Sequence, residues 1–494
     1  MMPAVHADDL LTTSATRLAA SIREGRVTSL EVVDAHIRVL ERVNPVVNAV
    51  VAERLDQARD EARAADTRVA SEPSEALPPL LGVPCTIKEC FSVEGMPWTA
   101  GFVPRIGTTG EQDAVAVRRL REAGAIVLGV TNVSELCMWL ETSNHVYGRT
   151  NNPYDPGRMV GGSSGGEGAI VGSGASPFGL GADVGGSIRM PAFFNGVFGH
   201  KPSGGLVPNV GQFPIAENEA LHYLTTGPLA RRAEDLWPLL TVLAGSHPED
   251  PSVEDMPLGD PSAVDLSGLR VLDVPTDGRA RVHPELRAAQ ERAAEHLASL
   301  GAEVVRGPIP GLERGVEIWS AMLDGAGGTP FDITLGNGRP TRLLWELLRW
   351  SVRRSPHTLP ALGLAGLERL SGLTAGTMRR FAEQGRELRE RLEELLSGDT
   401  VILYPSFPEP APRHVVPLLR PLRFGYTALL NVMLLPATQV PLGLSSRGLP
   451  LGCQVVGARG ADHLTIAVAM ELERELGGWT PPELLRRALT DGPG

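Results

Sequence analysis

Four cysteines in 494 residues are too few and too scattered to staple a chain of this length. Cys85, Cys90, Cys137 and Cys453 offer neither a disulfide framework nor the paired Cys-x-x-Cys spacing of a zinc site, so a reducing compartment fits. No uninterrupted apolar run approaches the roughly 20 residues that a membrane span requires. The first eleven residues carry Asp8 and Asp9 and no apolar core, which argues against a signal peptide and makes the cytoplasm the expected location. Basic side chains are outnumbered, 46 against 58 acidic, and form no compact patch. The net charge of −12 therefore excludes non-specific attraction to nucleic acid or anionic lipid. Internal repeats and low-complexity tracts are absent as well. What remains is a soluble-type composition, 42 % hydrophobic and 21 % charged, able to bury a large core.

The chain reads as an α/β body. Thr28-Ser29-Leu30-Glu31 is a capping box, and Leu30, Val33, Ile37 and Leu40 follow at helical spacing until Asn44-Pro45, where the helix is expected to close. A second helix is expected over Val51 to Ala64, then a surface loop from Asp66 to Pro79. Leu81 to Lys88 is a short apolar run ending in a lysine, read as a buried strand. A helix capped by Asp113 and a strand over Ala125 to Val130 follow, and this alternation predicts a mostly parallel sheet covered by helices. A helix over Ala230 to Ala244, a polar connection over His247 to Ser267 and further strand–helix–strand alternation from Leu269 to Val305 continue the pattern. Thr400 to Tyr404 is a strand, and Ala461 to Glu475 reads as the last helix.

Between Arg342 and Met378 the pattern changes. Leu343, Leu344, Trp345, Leu347, Leu348, Trp350 and Val352 crowd together among arginines, and Leu359 to Leu373 adds a second Leu-rich segment. One reading is a pair of helices packed on the body; the other is a lid or lipid-facing surface that admits apolar substrates.

The chemistry concentrates in Gly161 to Pro191. Gly161-Gly162-Ser163-Ser164-Gly165-Gly166-Glu167-Gly168 is followed, after an apolar run, by Gly181-Ala182-Asp183-Val184-Gly185-Gly186-Ser187-Ile188-Arg189. Two serines thus stand in glycine nests, where successive backbone N–H groups can converge on an anion. Acyl transfer needs a nucleophile, a proton acceptor and donors for the oxyanion. Ser187 follows Val184-Gly185-Gly186, whose amides offer such donors. None of the eleven histidines has a recognisable catalytic setting. Lys88 is the alternative base, provided burial lowers its pKa far enough from the ~10.4 of free lysine. Its neighbour Glu89 is expected to point to the opposite face. The first nest lacks the Gly-Lys-Ser/Thr ending of a phosphate loop. It does match Gly-x-Ser-x-Gly, which leaves open Ser163 as nucleophile of an α/β-hydrolase elbow.

Taken together these residues resemble the amidase signature family, through Gly162-Ser163-Ser164-Gly165-Gly166, Gly181 to Pro191, and Gly82-Val83-Pro84 leading to Lys88. Weaker similarity runs from about Thr28 to the end, including Asn431 to Pro436 and Pro450 to Gly457. The resemblance implies Ser187 as the acylated nucleophile, Ser163 as a bridging serine on a cis peptide, and Lys88 as the base. It implies an oxyanion hole of Val184, Gly185, Gly186 and Ser187 amides, and a supporting network of Ser164, Asp183 and Arg189. It further implies one α/β/α domain over 1–494 with a central mixed sheet, a helical insertion or lid near 310–385, and no metal or organic cofactor. Glu167, the run from Met190 to Gly196 and Val207-Pro208-Asn209 look most like the fatty-acid amide hydrolase branch. Cys137-Met138-Trp139 falls where many members carry small residues, which suggests a pocket for aryl or other apolar amides, with Trp139 as plain core the alternative. Carbamates (urethanes) and esters are additional expected substrates. The partner expected is a small-molecule amide, met by a monomer or homodimer with peripheral lipid contact. The alternative function is a glutaminase-type subunit delivering ammonia to a partner.

Overall fold

Apolar runs of four to eight residues, punctuated by glycine and proline, assemble into one sheet that carries the site. The structure is a computed structural model and describes residues 7–371 and 375–490. Its strands are β1 (Val50–Glu53), β2 (Pro84–Lys88), β3 (Ile126–Thr131), β4 (Phe178–Asp183), β5 (Phe198–Lys201), β6 (Thr225–Ala230), β7 (Arg270–Asp273), β8 (Glu303–Arg306), β9 (Thr400–Tyr404), β10 (Ala437–Leu444) and β11 (Pro450–Val456). They lie in the order β1-β3-β2-β4-β6-β5-β10-β11-β9-β7-β8. Helices flank the sheet and give the expected α/β architecture. The sheet is mixed: β2/β3, β2/β4, β7/β8 and β7/β9 run parallel, and the other pairs run antiparallel. The mostly parallel sheet expected from alternation alone is thereby corrected. Only the strand–helix–strand segments enforce parallel neighbours. β10 and β11 are joined by a short turn and pair antiparallel, whereas β6 pairs antiparallel with β4 and β5, and β5 with β10, across longer connections.

Several boundaries also move. The first capped helix, Ser29–Val47, does carry the reciprocal Thr28–Glu31 capping box, but it runs through Pro45 and ends at left-handed Asn48. A proline this close to the end forfeits one hydrogen bond, while Val43 and Val47 remain buried against the core. Val50 to Glu53 is an edge strand, and its helix begins only at Leu55 and continues to Ser71. Asp113 does not cap the next helix; its carboxylate accepts from the Glu94 amide and pairs with Arg121. The expected helix from Ala230 divides into the end of β6, a short 3-10 turn and Leu236–Leu243. A further helix, Glu483–Thr490, follows the one expected to be last.

The Leu-rich region forms helices Leu343–Ser351 and Leu359–Ser371. The second buries Ala361, Leu362 and Ala365 in a small satellite cluster with Phe102 and Leu136. The first exposes its apolar side chains instead: Leu344 is 85 % and Trp345 55 % accessible. Neither helix, nor any other of the described residues, is long and apolar enough to cross a membrane.

Candidate active site

Strand β2 ends at Lys88 in the middle of the sheet, where the side chain is 1 % exposed. Its Nζ lies 2.8 Å from Ser163 Oγ and 3.3 Å from the Ala182 carbonyl. Ser163 follows a cis Gly162–Ser163 peptide bond and is itself buried. Gly162 is required there, because a Cβ would collide with the Trp139 carbonyl. Thr142 braces the nest from outside, donating to the Gly161 carbonyl at 2.9 Å and accepting from the Gly165 amide at 3.1 Å. Helix Gly165–Gly172 then leaves the nest, and its glycines let it pack closely on the Asn132 and Pro191 backbone.

The second nest begins where β4 ends at Asp183. Ser187 is 7 % exposed, and its Oγ makes no hydrogen bond among the described residues. The Ser164 amide donates to the Ser187 carbonyl at 3.2 Å, which fastens the two nests together. Asp183 organises the turn: its carboxylate accepts from the amides of Gly186 at 2.6 Å and Ile188 at 3.0 Å. It also pairs with Arg189, with Nη2 at 2.9 Å and Nε at 3.1 Å. Burial opposes its ionisation, but the Arg189 guanidinium and these bonds hold the carboxyl well below the usual carboxylate range. Arg189 in turn reaches Asn431 at 2.6 Å and Gln454 at 3.1 Å, so helix Gly425–Val432 and strand β11 complete the network. Since the Gly186 amide is already engaged by Asp183, the amides left free are those of Val184, Gly185 and Ser187.

Two buried glutamates border Lys88. Glu167 accepts from Thr86 at 2.6 Å and Thr131 at 2.8 Å, and burial pushes its pKa up to about 8 against those bonds and the nearby lysine charge. Glu89 points away from the lysine and accepts from Thr99, Ala100 and Tyr147, with burial raising its pKa to about 7. Glu89 gives no sequence signal beyond its place after Lys88, and Asn431 and Gln454 stand out only as parts of the weakly similar stretches Asn431 to Pro436 and Pro450 to Gly457.

Cys137, Met138 and Trp139 are half-buried in a loop where Leu136 and Cys137 both take positive φ, 52° and 58°. The Cys137 thiol lies within reach of the Cys90 thiol, Lys88 and Ser163; the bond from Cys90 and the lysine charge draw its pKa down despite burial. The loop is fixed at one end by Glu135, which accepts from the Thr358 amide at 2.7 Å and pairs with His357 at 3.1 Å. The segment that joins the two Leu-rich helices, at His357 and Thr358, therefore touches the Glu135 end of this loop.

What this arrangement can do is deliver a proton from a serine to a lysine beside free backbone donors. The amidase family model matches residues 31–466. Fatty-acid amide hydrolase 2-A of Danio rerio is 45 % identical over 96 % of this chain and 90 % of its own length. Fatty-acid amide hydrolase 2 of Homo sapiens is 43 % identical over 96 % and 91 %. Among solved structures, a 6-aminohexanoate cyclic dimer hydrolase complexed with substrate superposes with a TM-score of 0.78 at 28 % identity, covering 96 % of this chain and 99 % of that one.

Proposed function

From the premise that the chain belongs to the amidase signature family, in its fatty-acid amide hydrolase-like branch, and cleaves amides, we propose that it hydrolyses apolar or aryl amides through an acyl-enzyme on Ser187. The observation that carries this reading is the buried 2.8 Å contact between Lys88 and Ser163 beside the free Ser187 hydroxyl. The Lys88 Nζ stands between the Ser163 hydroxyl and the Ala182 carbonyl, in hydrogen-bond contact with both. As Ser187 Oγ attacks the substrate carbonyl, its proton passes to Ser163 Oγ, whose own proton passes to Lys88. The free Val184, Gly185 and Ser187 amides receive the oxyanion. Reversing the relay protonates the leaving nitrogen, and water then releases the acyl group along the same path. Asp183 and Arg189 hold the turn, and Ser164 holds the nests together.

An apolar substrate is supported by the exposed Leu344, Trp345, Leu348 and Trp350 on a helix next to the pocket loop, which serves as a lid and as a peripheral lipid contact. Carbamates and esters follow, because a Ser187 acyl-enzyme forms from them by the same attack. The unpaired state of all four cysteines supports a reducing, cytoplasmic setting.

A fluorophosphonate probe tests the assignment. Ser187→Ala abolishes labelling and turnover, whereas Ser163→Ala leaves slow labelling. The opposite pattern makes Ser163 the nucleophile. An acyl-length series of anilides, primary amides and carbamates then tests the substrate class: a preference for short, polar primary amides sinks it.

A further inference from the structure

A trans peptide unit points its carbonyl and the following N–H in opposite directions, so whatever pins a carbonyl also aims the next amide. Three successive carbonyls at the second nest are pinned. Asp183 O accepts from Asn431 at 2.8 Å and Thr225 at 3.2 Å, Val184 O from Trp319 Nε1 at 2.7 Å, and Gly185 O from Thr427 at 3.0 Å. The amides thereby aimed are those of Val184, Gly185 and Gly186, and the last is occupied by Asp183. Val184 aim rests on two donors. Gly185 aim rests on Trp319 alone, since the Val184 carbonyl has no other donor among the described residues.

Trp319 is half-buried in helix Gly315–Gly325 and packs edge-on against Phe424, with centroids 5.2 Å apart. A Cβ on Gly185 would lie 3.3 Å from its ring, so indole and loop are in close contact. An aromatic here for packing alone would leave the direction of its N–H arbitrary. Instead, the N–H meets the one loop carbonyl that lacks another partner. We propose that Trp319 is a positioning residue that aims the Gly185 amide at the developing oxyanion. It acts from the helical flank, outside the glycine-rich stretch. The inference rests on the acyl-enzyme reading above.

The test compares Trp319→Phe, which keeps an aromatic ring and loses the N–H, with wild type on a decanoyl 4-nitroanilide. A misaimed donor costs less than the 10²–10³-fold of a deleted one, so kcat is expected to fall ~10-fold with KM within about twofold. Affinity for a decyl trifluoromethyl ketone, whose adduct carries an oxyanion, should fall in parallel, while affinity for the matching alcohol holds. Phe424→Leu removes the packing partner and should leave kcat within about twofold. Trp319→His keeps a ring N–H and should retain more kcat than Trp319→Leu, a comparison that stands even if Trp319→Phe fails to fold. Unchanged kcat and ketone affinity in Trp319→Phe, a loss confined to KM, an equal loss in Phe424→Leu, or Trp319→Leu outperforming Trp319→His each overturns the assignment. Fluorophosphonate labelling of wild-type Ser187 checks the acyl-enzyme reading separately. Wild-type labelling with an equally fast Trp319→Phe overturns only the role of Trp319.

Discussion

The floor of the site and its helical flank are built in opposite ways. Around Lys88 and the two nests the charged side chains are buried and bonded: Glu167 between two threonines, Glu89 among four donors, and Asp183 on Arg189, which is tied in turn to Asn431 and Gln454. On helix Leu343–Ser351 the large apolar side chains face outward with nothing on them. A proton relay fails if its atoms shift by an ångström, so its position is over-determined. A surface that met apolar chains would need only to be apolar and accessible. On the proposed reading, reaction and selectivity would then be under separate structural control.

The sharpest way to break the floor is to unbalance its charge. Arg189→Met leaves the Asp183 carboxylate buried without its ion-pair partner, and a loss of about 3–5 kcal/mol in urea unfolding is expected, together with loss of turnover. Next is Glu167→Gln, read through pH. The folded pKa of Glu167 is raised to about 8 from an ordinary 4.5, so the folded state holds the proton that the unfolded chain releases. Wild-type stability from this group is therefore fully present below pH 4.5 and is lost as pH rises through 8, a change on the order of a few kcal/mol. Glutamine does not titrate. The difference in Tm between Glu167→Gln and wild type should move in favour of the variant from pH 4.5 to 8 and then level off; a flat difference would place the carboxyl in an ordinary ionised state. The smallest thermodynamic effect belongs to the flank. Leu344→Ser with Trp345→Ser should change stability by less than ~0.5 kcal/mol, yet lower kcat/KM for long-chain anilides more than for acetyl anilides. Equal losses on both substrates would remove the flank from selectivity.

Much of the floor was legible because its determinants are local. A capping box, a strand ending in lysine and two serine nests each announce themselves within a few residues. The edge strand Val50–Glu53 was read as helix because four residues carry too little periodicity to separate the two, and what makes them a strand is pairing with Thr131 and Gly129. Pro45 was read as a stop because sequence does not reveal that burying Val47 outweighs one missing hydrogen bond. The residues that hold this turn from afar, Trp319, Thr427, Asn431 and Gln454, lie more than a hundred positions away, and no local spacing ties them to the nest. Only the complete fold brings them to it. Within the Leu-rich region one helix packs on the body and the other leaves its apolar side chains exposed. The end of its second segment, Gly372 and Leu373, lies outside the described residues.

The bonds from Arg189 to Asn431 and Gln454 have a consequence for the birth of the protein. More than half of the chain follows Ser187, so Lys88, Ser163 and Ser187 are made well before Asn431 and Gln454, which anchor the turn carrying Ser187. On the proposed reading, a chain cut short before Gln454 would carry the relay residues without one of the side chains that hold that turn.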